Sequence, residues 1–345
     1  MIKAGIVGGT GYAGQNLVWL LNNHDQVKID FICSHNNTNV PFSGVYPNFF
    51  GTLQDLCIDM PTAFERLSEI DVLFIALPHG KSYDLSNKAL QLGVKVVDLG
   101  ADFRLRDPAM YELWYDMKHP SDELLSTAVY GLPELHRKEI MEAQLVANPG
   151  CYPTASILAA APLLAKGLVE PQSIIIDAKS GVSGAGRTAS IPTLFCESNE
   201  SIKAYGVTSH RHTPEIEQEL SKAAQKELTI SFTPHLVPMN RGILATCYGA
   251  LNKIIEQDAL YDLYKRFYEG EPFVRISDGL PETRWVKGTN YCDIGIRVDK
   301  RTHRVIAVSA IDNLIKGAAG QAVQNMNILF KFKESKGLDL LAMFP

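Results

Sequence analysis

The chain has 345 residues, enough for one large or two medium domains with their own cores. It is 46% hydrophobic and 21% charged with a net charge of −5, so no basic excess favours nucleic acid or an anionic membrane as a partner. No apolar run approaches the roughly 20 residues that span a bilayer, and the cysteines at 33, 57, 151, 196, 247 and 292 show no metal-binding spacing.

Residues 1–7 enter a strand at once, so no signal or transit peptide is expected, and the scattered thiols suit a reduced, cytoplasmic protein with no metal. The apolar run over residues 2–7 leads into Gly8-Gly9-Thr10-Gly11-Tyr12-Ala13-Gly14, after which a helical pattern begins. Strand, glycine turn and helix put Gly9, Gly11 and Gly14 in the register of a dinucleotide-binding turn. The glycines permit the turn and let main chain approach a pyrophosphate at the helix N-terminus. A structural βα turn is the competing reading, but the position between an N-terminal strand and a helix favours the dinucleotide. Gly9, Thr10, Gly11, Tyr12, Ala13 and Gly14 are therefore the cofactor candidates.

The next strand, residues 27–33, ends in Ser34-His35-Asn36-Asn37-Thr38. An NAD-binding chain would usually put Asp or Glu about 20 residues past the motif, on the ribose hydroxyls. The neutral strand end here tolerates a 2′-phosphate, so NADP(H) is the expected cofactor and Ser34 the expected phosphate contact. A plain polar loop would look the same. Residues 39–62 read as a loop-rich insertion. Two buried-strand patterns, 71–77 and 94–99, flank a helix at roughly 81–92 and complete another βαβ unit. The first ends at Pro78-His79-Gly80, on the carboxyl edge where a cofactor lies in such sheets, which adds Pro78 to the candidates. The second ends in Gly100-Ala101-Asp102-Phe103-Arg104; a solvated loop arginine is possible, but its place at that edge points Arg104 toward an anion.

Residues 144–147 form a further strand, followed by Asn148-Pro149-Gly150-Cys151-Tyr152-Pro153-Thr154 and a helix to about Lys166. Cys151 thus sits in a Pro/Gly turn at the mouth of a helix. The positive end of a helix favours a thiolate, and its unpaired N–H groups can hold an oxyanion. A buried structural cysteine is the alternative, yet the apolar surroundings it needs are missing, so Cys151 is the candidate nucleophile.

Past this helix the texture changes. Residues 173–179 form a strand feeding Ser180-Gly181-Val182-Ser183-Gly184-Ala185-Gly186-Arg187, a loop whose N–H groups suit phosphate or carboxylate and whose composition also suits a linker. Thr213 reads as the N-cap of a helix 214–226 with Pro214 first, which gathers His210, Arg211 and His212 at its start. Strands at 228–236, 243–251, 274–276, 293–298 and 305–312 imply a largely antiparallel or mixed sheet that would supply a subunit interface. Residues 312–327 read as a small-residue helix packing back on the N-terminal domain. The expected fold class is α/β. A Rossmann-type dinucleotide domain spans 1–150 plus about 313–345, and an α+β catalytic and dimerisation domain with a mixed sheet spans 151–312.

This order of parts resembles the semialdehyde dehydrogenase superfamily and, within it, the N-acetyl-γ-glutamyl-phosphate reductases. The matching blocks run nearly the full length: 8–14, 77–80, 98–104, 130–134, 148–154, 180–187, 210–217 and 316–327. The resemblance implies NADPH-dependent reduction of N-acetyl-γ-glutamyl phosphate to the 5-semialdehyde, with phosphate released, in arginine biosynthesis by a homodimer or homotetramer. It also implies Ser183, Gly184 and Asn313 as cofactor contacts. A thiolate displacing phosphate and a thioester reduced by hydride need exactly such a cysteine, a donor for each oxyanion, and cations for phosphate and carboxylate. Arg104, Arg187 and Arg241 are the candidate cations, each in a loop beside a strand end. The resemblance puts the catalytic histidine in the 210–217 block. His210 and His212 would face opposite ways in an extended segment; His210, ahead of the cap, is taken as acid–base, and His212 as holding substrate or loop. Related acyl-phosphate reductases, acting on aspartyl or aminoadipyl phosphate, remain competing readings. So does a non-catalytic NADP-sensing regulator, which would have no use for the cysteine.

Overall fold

Apolar runs rich in Val, Ile and Leu become strands buried on both faces, as parallel sheets require. In the computed structural model, which describes residues 1–344, the chain divides into two units: Met1–Pro149 with Ala318–Asp339, and Gly150–Gly317 with the tail from Leu340. The first unit holds β1 (Ile2–Val7), β2 (Val27–Cys33), β3 (Val72–Ile75), β4 (Lys95–Asp98), β5 (Val129–Tyr130) and β6 (Leu145–Ala147) in the order β2-β1-β3-β4-β6-β5. Every pairing in it is parallel. Strand order reverses between β1 and β3, and a ligand crevice forms at the carboxyl ends beside such a reversal. The Gly8–Gly14 turn leaves β1 there, and Pro78 follows β3.

Helix Gly320–Leu329 is buried at every residue, although it carries Gln321, Gln324, Asn325 and Asn327. Buried amides must find partners. Gln321 and Asn325 each donate to Gly131 O at 2.9 Å, and Asn325 also donates to Asn148 Oδ1 at 3.1 Å. The expected single helix over 312–327 is instead a π-helical turn, Ile315–Ala319, followed by this α-helix. Asp312 causes the late start: its Oδ1 accepts from Leu314 and Ile315 N–H, closing a local turn before the helix can begin.

The second unit holds β7 (Ile175–Gly181), β8 (Lys203–Ala204), β9 (Ser231–Val237), β10 (Ile243–Ala250), β11 (Val274–Ser277), β12 (Cys292–Asp299) and β13 (Arg304–Ile311). Their order is β11-β12-β13-β10-β7-β9-β8, antiparallel except for β11 with β12 and β7 with β9. β10 alternates buried and half-buried residues along its length, one face turned to the core. Helix Cys151–Ala165 is buried from Tyr152 to Leu164, and its Pro162 has no N–H to bond Leu158 O four residues back. Tyr268 Oη supplies that missing donor at 2.6 Å, and Tyr264 Oη donates to Ala159 O at 2.6 Å. Hydroxyls from helix Gln257–Phe267 and the residue after it thus let an internal proline sit in a central helix.

Candidate active site

In the first unit, Gly11 caps helix Tyr12–Asn22. The glycines of this turn have separate reasons to be glycine. Gly8 has φ of +80°, and a Cβ there would lie 2.3 Å from Ala76 O. A Cβ on Gly14 would lie 2.3 Å from Gly8 O and 2.7 Å from Gly9 Cα, so Gly14 lets the helix pack on the turn. Gly11 answers to neither constraint: its added Cβ would meet only Gly8 O at 3.5 Å, an ordinary contact. The space in front of Gly11 is what a pyrophosphate at the helix N-terminus needs, so these residues fit a dinucleotide.

Ser34 is placed differently from a 2′-phosphate contact. It is 2% exposed, with its hydroxyl 2.7 Å from Thr10 Oγ1 and within 3.4 Å of Asn37 Nδ2. The exposed side chains at this strand end are His35 and Asn36. Arg104 is also buried, at 8% exposure, and donates from Nε to Asn148 O (2.9 Å) and from Nη2 to Leu99 O (2.8 Å). Those two donors tie the end of β4 to the chain after β6, which is the geometry of a strut. The same region holds two buried carboxylates, Asp98 and Asp102, neither of them a candidate from the motifs. Asp98 accepts from Ser82 Oγ and Gly100 N, each at 2.9 Å. Asp102 accepts from Gly80 N (2.6 Å), Ser82 N (2.9 Å) and Tyr111 Oη (3.1 Å), so it fixes the loop after Pro78.

In the second unit, Cys151 is the first residue of its helix and is partly exposed. Gly150 is the N-cap, and its amide donates to Glu215 Oε1 at 2.8 Å. Glu215 is buried in the first turn of helix Thr213–Ala224, so this bond joins the starts of the two helices. His212, not Thr213, is the N-cap residue of that second helix. Tyr152 connects the cysteine to the histidines. Its ring centroid lies 5.6 Å from His210 and 6.0 Å from His212, and its hydroxyl accepts from Tyr205 Oη at 3.1 Å and donates to His235 O at 3.1 Å. Gly317 closes the other side: a Cβ on it would lie 2.7 Å from Cys151 Cβ.

Burial, and then the charge of Arg211, push the His210 imidazole down to about 4. At neutral pH this ring is uncharged. Its Nδ1 lies 3.1 Å from the His212 N–H and accepts from it, which leaves the ring proton on Nε2. His210 is thereby set as a hydrogen-bond donor. Both neighbouring phenols stay neutral as well: burial raises Tyr152, and burial first raises Tyr205 to about 12.

The remaining candidates fall in the same unit. Arg241 pairs with fully buried Asp312 at 3.1 Å, and Asp312 also accepts from Gly288 N at 2.7 Å. Asn313 is 2% exposed, donates to Ser183 Oγ at 3.0 Å and accepts from Gly242 N at 2.8 Å. Gly184 and Arg187 are exposed on the loop after β7. Among the described residues, no group of three or more His, Cys, Asp and Glu is placed to hold a metal ion. No helix among them is long and apolar enough to cross a membrane.

Residues 3–143 match the NAD binding domain of semialdehyde dehydrogenases, and residues 151–313 match the semialdehyde dehydrogenase dimerisation domain. N-acetyl-gamma-glutamyl-phosphate reductase of Clostridium novyi is 53% identical over 99% of both chains, and that of Campylobacter jejuni serotype O:6 is 52% identical over 99% of both. The chain belongs to the N-acetyl-γ-glutamyl-phosphate reductase family. It is an oxidoreductase that uses a nicotinamide dinucleotide, and its family carries a domain for self-association. The fold extends further. Aspartate semialdehyde dehydrogenase II from Vibrio cholerae superimposes with a TM-score of 0.73 at 18% identity, covering 96% of this chain and 99% of that one. Aspartate semialdehyde dehydrogenase with NADP from Candida albicans gives 0.69 at 16% identity, covering 96% and 98%.

Residues such as Glu215, Tyr152 and Gly317 escaped the sequence reading as participants. Glu215 and Gly317 lie inside the motif blocks of the family, but their pairing with Gly150 and Cys151 depends on the fold. An acid in the first turn of a helix is ordinarily read as a partner for that helix's own dipole.

Proposed function

We propose that the chain reduces N-acetyl-γ-glutamyl phosphate to N-acetylglutamate 5-semialdehyde with NADPH, releasing phosphate, through a thioester on Cys151. The observation that carries this reading is Cys151 at the first position of a buried helix, with a neutral histidine donor gathered around the adjoining Tyr152. The thiolate attacks the acyl carbon, the C–S bond forms, and the bond to phosphate oxygen breaks with its electron pair leaving on phosphate. The dinucleotide, when bound, supplies the hydride that reduces the acyl carbon. The oxyanion then collapses, the C–S bond breaks, and the aldehyde leaves with the thiolate restored.

Helix N–H groups beside Cys151 and Nε2–H of His210 are the donors available to the oxyanion in each addition. A neutral imidazole in this donor role needs a low pKa, which burial gives to His210. With the His210 Nε2 already protonated, we assign the acceptance of the thiol proton to His212, reversing the order expected from the sequence. Arg187 is the cation we assign to the substrate. Arg104, engaged with main-chain carbonyls, and Arg241, engaged with Asp312, each brace segments of their own unit. For the cofactor, the absence of an acid after β2 supports NADPH, with exposed His35 and Asn36 rather than Ser34 facing a 2′-phosphate. The relatives' names support the substrate, and with it a place in arginine biosynthesis.

The test is phosphate-dependent oxidation of N-acetylglutamate 5-semialdehyde and of aspartate semialdehyde, each with NADP and with NAD. Turnover confined to the N-acetylated aldehyde and faster with NADP is the expected result. Preference for aspartate semialdehyde would overturn the substrate, and equal use of both cofactors would overturn the NADP reading.

A further inference from the structure

The insertion between β2 and β3 is a folded finger. Its stem pairs antiparallel: Asn39 N donates to Cys57 O at 2.8 Å, Cys57 N to Val40 O at 2.9 Å and Phe42 N to Asp55 O at 2.9 Å. The returning chain extends the end of β2, where Ser34 N donates to Ile58 O at 3.0 Å and Ile58 N to Ile32 O at 2.9 Å. The tip has a small core of its own. Helix Phe42–Val45 and the turn Pro47–Phe49 bring the buried rings of Phe42 and Phe49 edge-on at 5.1 Å, and the half-buried Tyr46 ring lies 5.5 Å from Phe42. Rings in such geometry attract beyond the area they bury, so the tip holds its shape.

This packing carries the Tyr46 hydroxyl back to the glycine turn. Tyr46 Oη donates to Thr10 O at 3.0 Å, across 36 positions of sequence. Thr10 stands between Gly9 and Gly11. The peptide joining Thr10 to Gly11 is therefore pinned at both ends, its carbonyl by Tyr46 and its N–H by Gly8 O at 3.1 Å. The Thr10 side chain is held as well, with Oγ1 2.7 Å from Ser34 Oγ. A turn of glycines is the most mobile kind of main chain. Groups that must meet a pyrophosphate bind it best when already in place, because ordering them on binding costs affinity. A hydroxyl that fixes the central peptide of the turn from outside can thus strengthen binding without touching the ligand.

On the reading of the Gly8–Gly14 turn as the dinucleotide site, we propose that Tyr46 is a positioning residue for the cofactor. Its hydroxyl holds the Thr10–Gly11 peptide in the conformation that receives the pyrophosphate. The finger of residues 39–57 is then a working part of the dinucleotide site. Linkage gives this a second consequence: if the finger strengthens nucleotide binding, bound nucleotide must strengthen the finger's hold on the turn by the same factor.

The test uses the full-length enzyme as wild type and as Tyr46→Phe, which keeps the ring on Phe42 and removes only the hydroxyl. NADPH and NADH are titrated by their own fluorescence, and amide hydrogen exchange is followed with and without each. In the wild type, nucleotide should slow exchange over 8–14 and also over 42–53. Tyr46→Phe should bind nucleotide about 3- to 10-fold more weakly, the loss expected for one hydrogen bond, and exchange faster over 8–14 when free. Its kcat at saturating nucleotide and its KM for acyl phosphate should stay within about twofold, a split that general loosening of the fold would not produce. With 8–14 protected by nucleotide, an unchanged Kd in Tyr46→Phe would overturn the role of Tyr46. So would a fall in kcat at unchanged Kd, or wild-type exchange over 42–53 that ignores nucleotide. The last of these is read in the wild type and decides the matter even where the variant fails to fold. Protection of 8–14 by neither nucleotide would instead overturn the reading of the turn as the dinucleotide site, and Tyr46's role with it.

Discussion

Gly11 and Gly14 stand three residues apart in one turn and answer to different forces. Gly14→Ala forces a methyl into the main chain of Gly8 and Gly9 and should destabilise the protein by about 1–3 kcal/mol, read as a lower melting temperature. Gly11→Ala has room in the chain itself, so stability should hold within about 0.5 kcal/mol while dinucleotide affinity drops. Equal losses of stability in the two variants would mean that Gly11 serves the fold. The histidines give a second residue-level expectation. If His210 only donates, His210→Asn should lower kcat without moving the pH midpoint of Cys151 alkylation. His212→Asn should shift that midpoint upward, because the thiol loses its proton acceptor. The opposite pattern would restore His210 as the base. The glycine register was legible in the sequence because a βα turn is a local demand. The tautomer of His210 and the burial of Ser34 were not, since both follow from contacts with Arg211, His212 and Thr10 that only the folded chain makes.

Between strands and helices, buried polar groups decide where elements begin and what they tolerate. Tyr268 Oη satisfies the carbonyl that Pro162 leaves without its helical partner, so Tyr268→Phe should cost about 1–3 kcal/mol and melt several degrees lower. An unchanged melting temperature would show that another group takes over Leu158 O. At the end of β4, burial first and Asp102 second push the Asp98 carboxyl up from 3.8 to about 7. The folded chain therefore holds this proton more tightly than the unfolded one. The stability it contributes is complete below about 4 and is lost as pH rises through about 7. Asp98→Asn keeps an oxygen for Ser82 Oγ and Gly100 N and cannot ionise. It should melt at the wild-type temperature below about pH 4 and about 2–4 °C higher at pH 8. A wild type more stable than the variant at pH 8 would show that the ionised carboxylate is the favoured form. Apolar runs in the sequence located most strands within a residue or two. The helix start at Ile315 was missed because the side chain of Asp312 caps Leu314 and Ile315, a competition that hydrophobic pattern does not register.

At the scale of the whole chain, the change of texture after residue 150 was legible, since a glycine-turn βαβ pattern gave way to closely spaced strands. The chain leaves the second unit after Gly317, inside a π-helical turn, a boundary that no change in composition marks. The parallel pairing of β7 with β9 was not legible either, because similar short strands can pair in either direction until the intervening helix fixes the crossover. What unites the chain functionally is the assignment of Cys151 as the residue that carries the acyl group. The direct measurement is the intact mass of the enzyme mixed with N-acetyl-γ-glutamyl phosphate in the absence of NADPH, followed by peptide mapping. The expected result is one N-acetylglutamyl group per chain, found on the Cys151 peptide, absent in Cys151→Ser and discharged as aldehyde when NADPH is added. No adduct in a single turnover, or an adduct on another cysteine, would contradict the assignment.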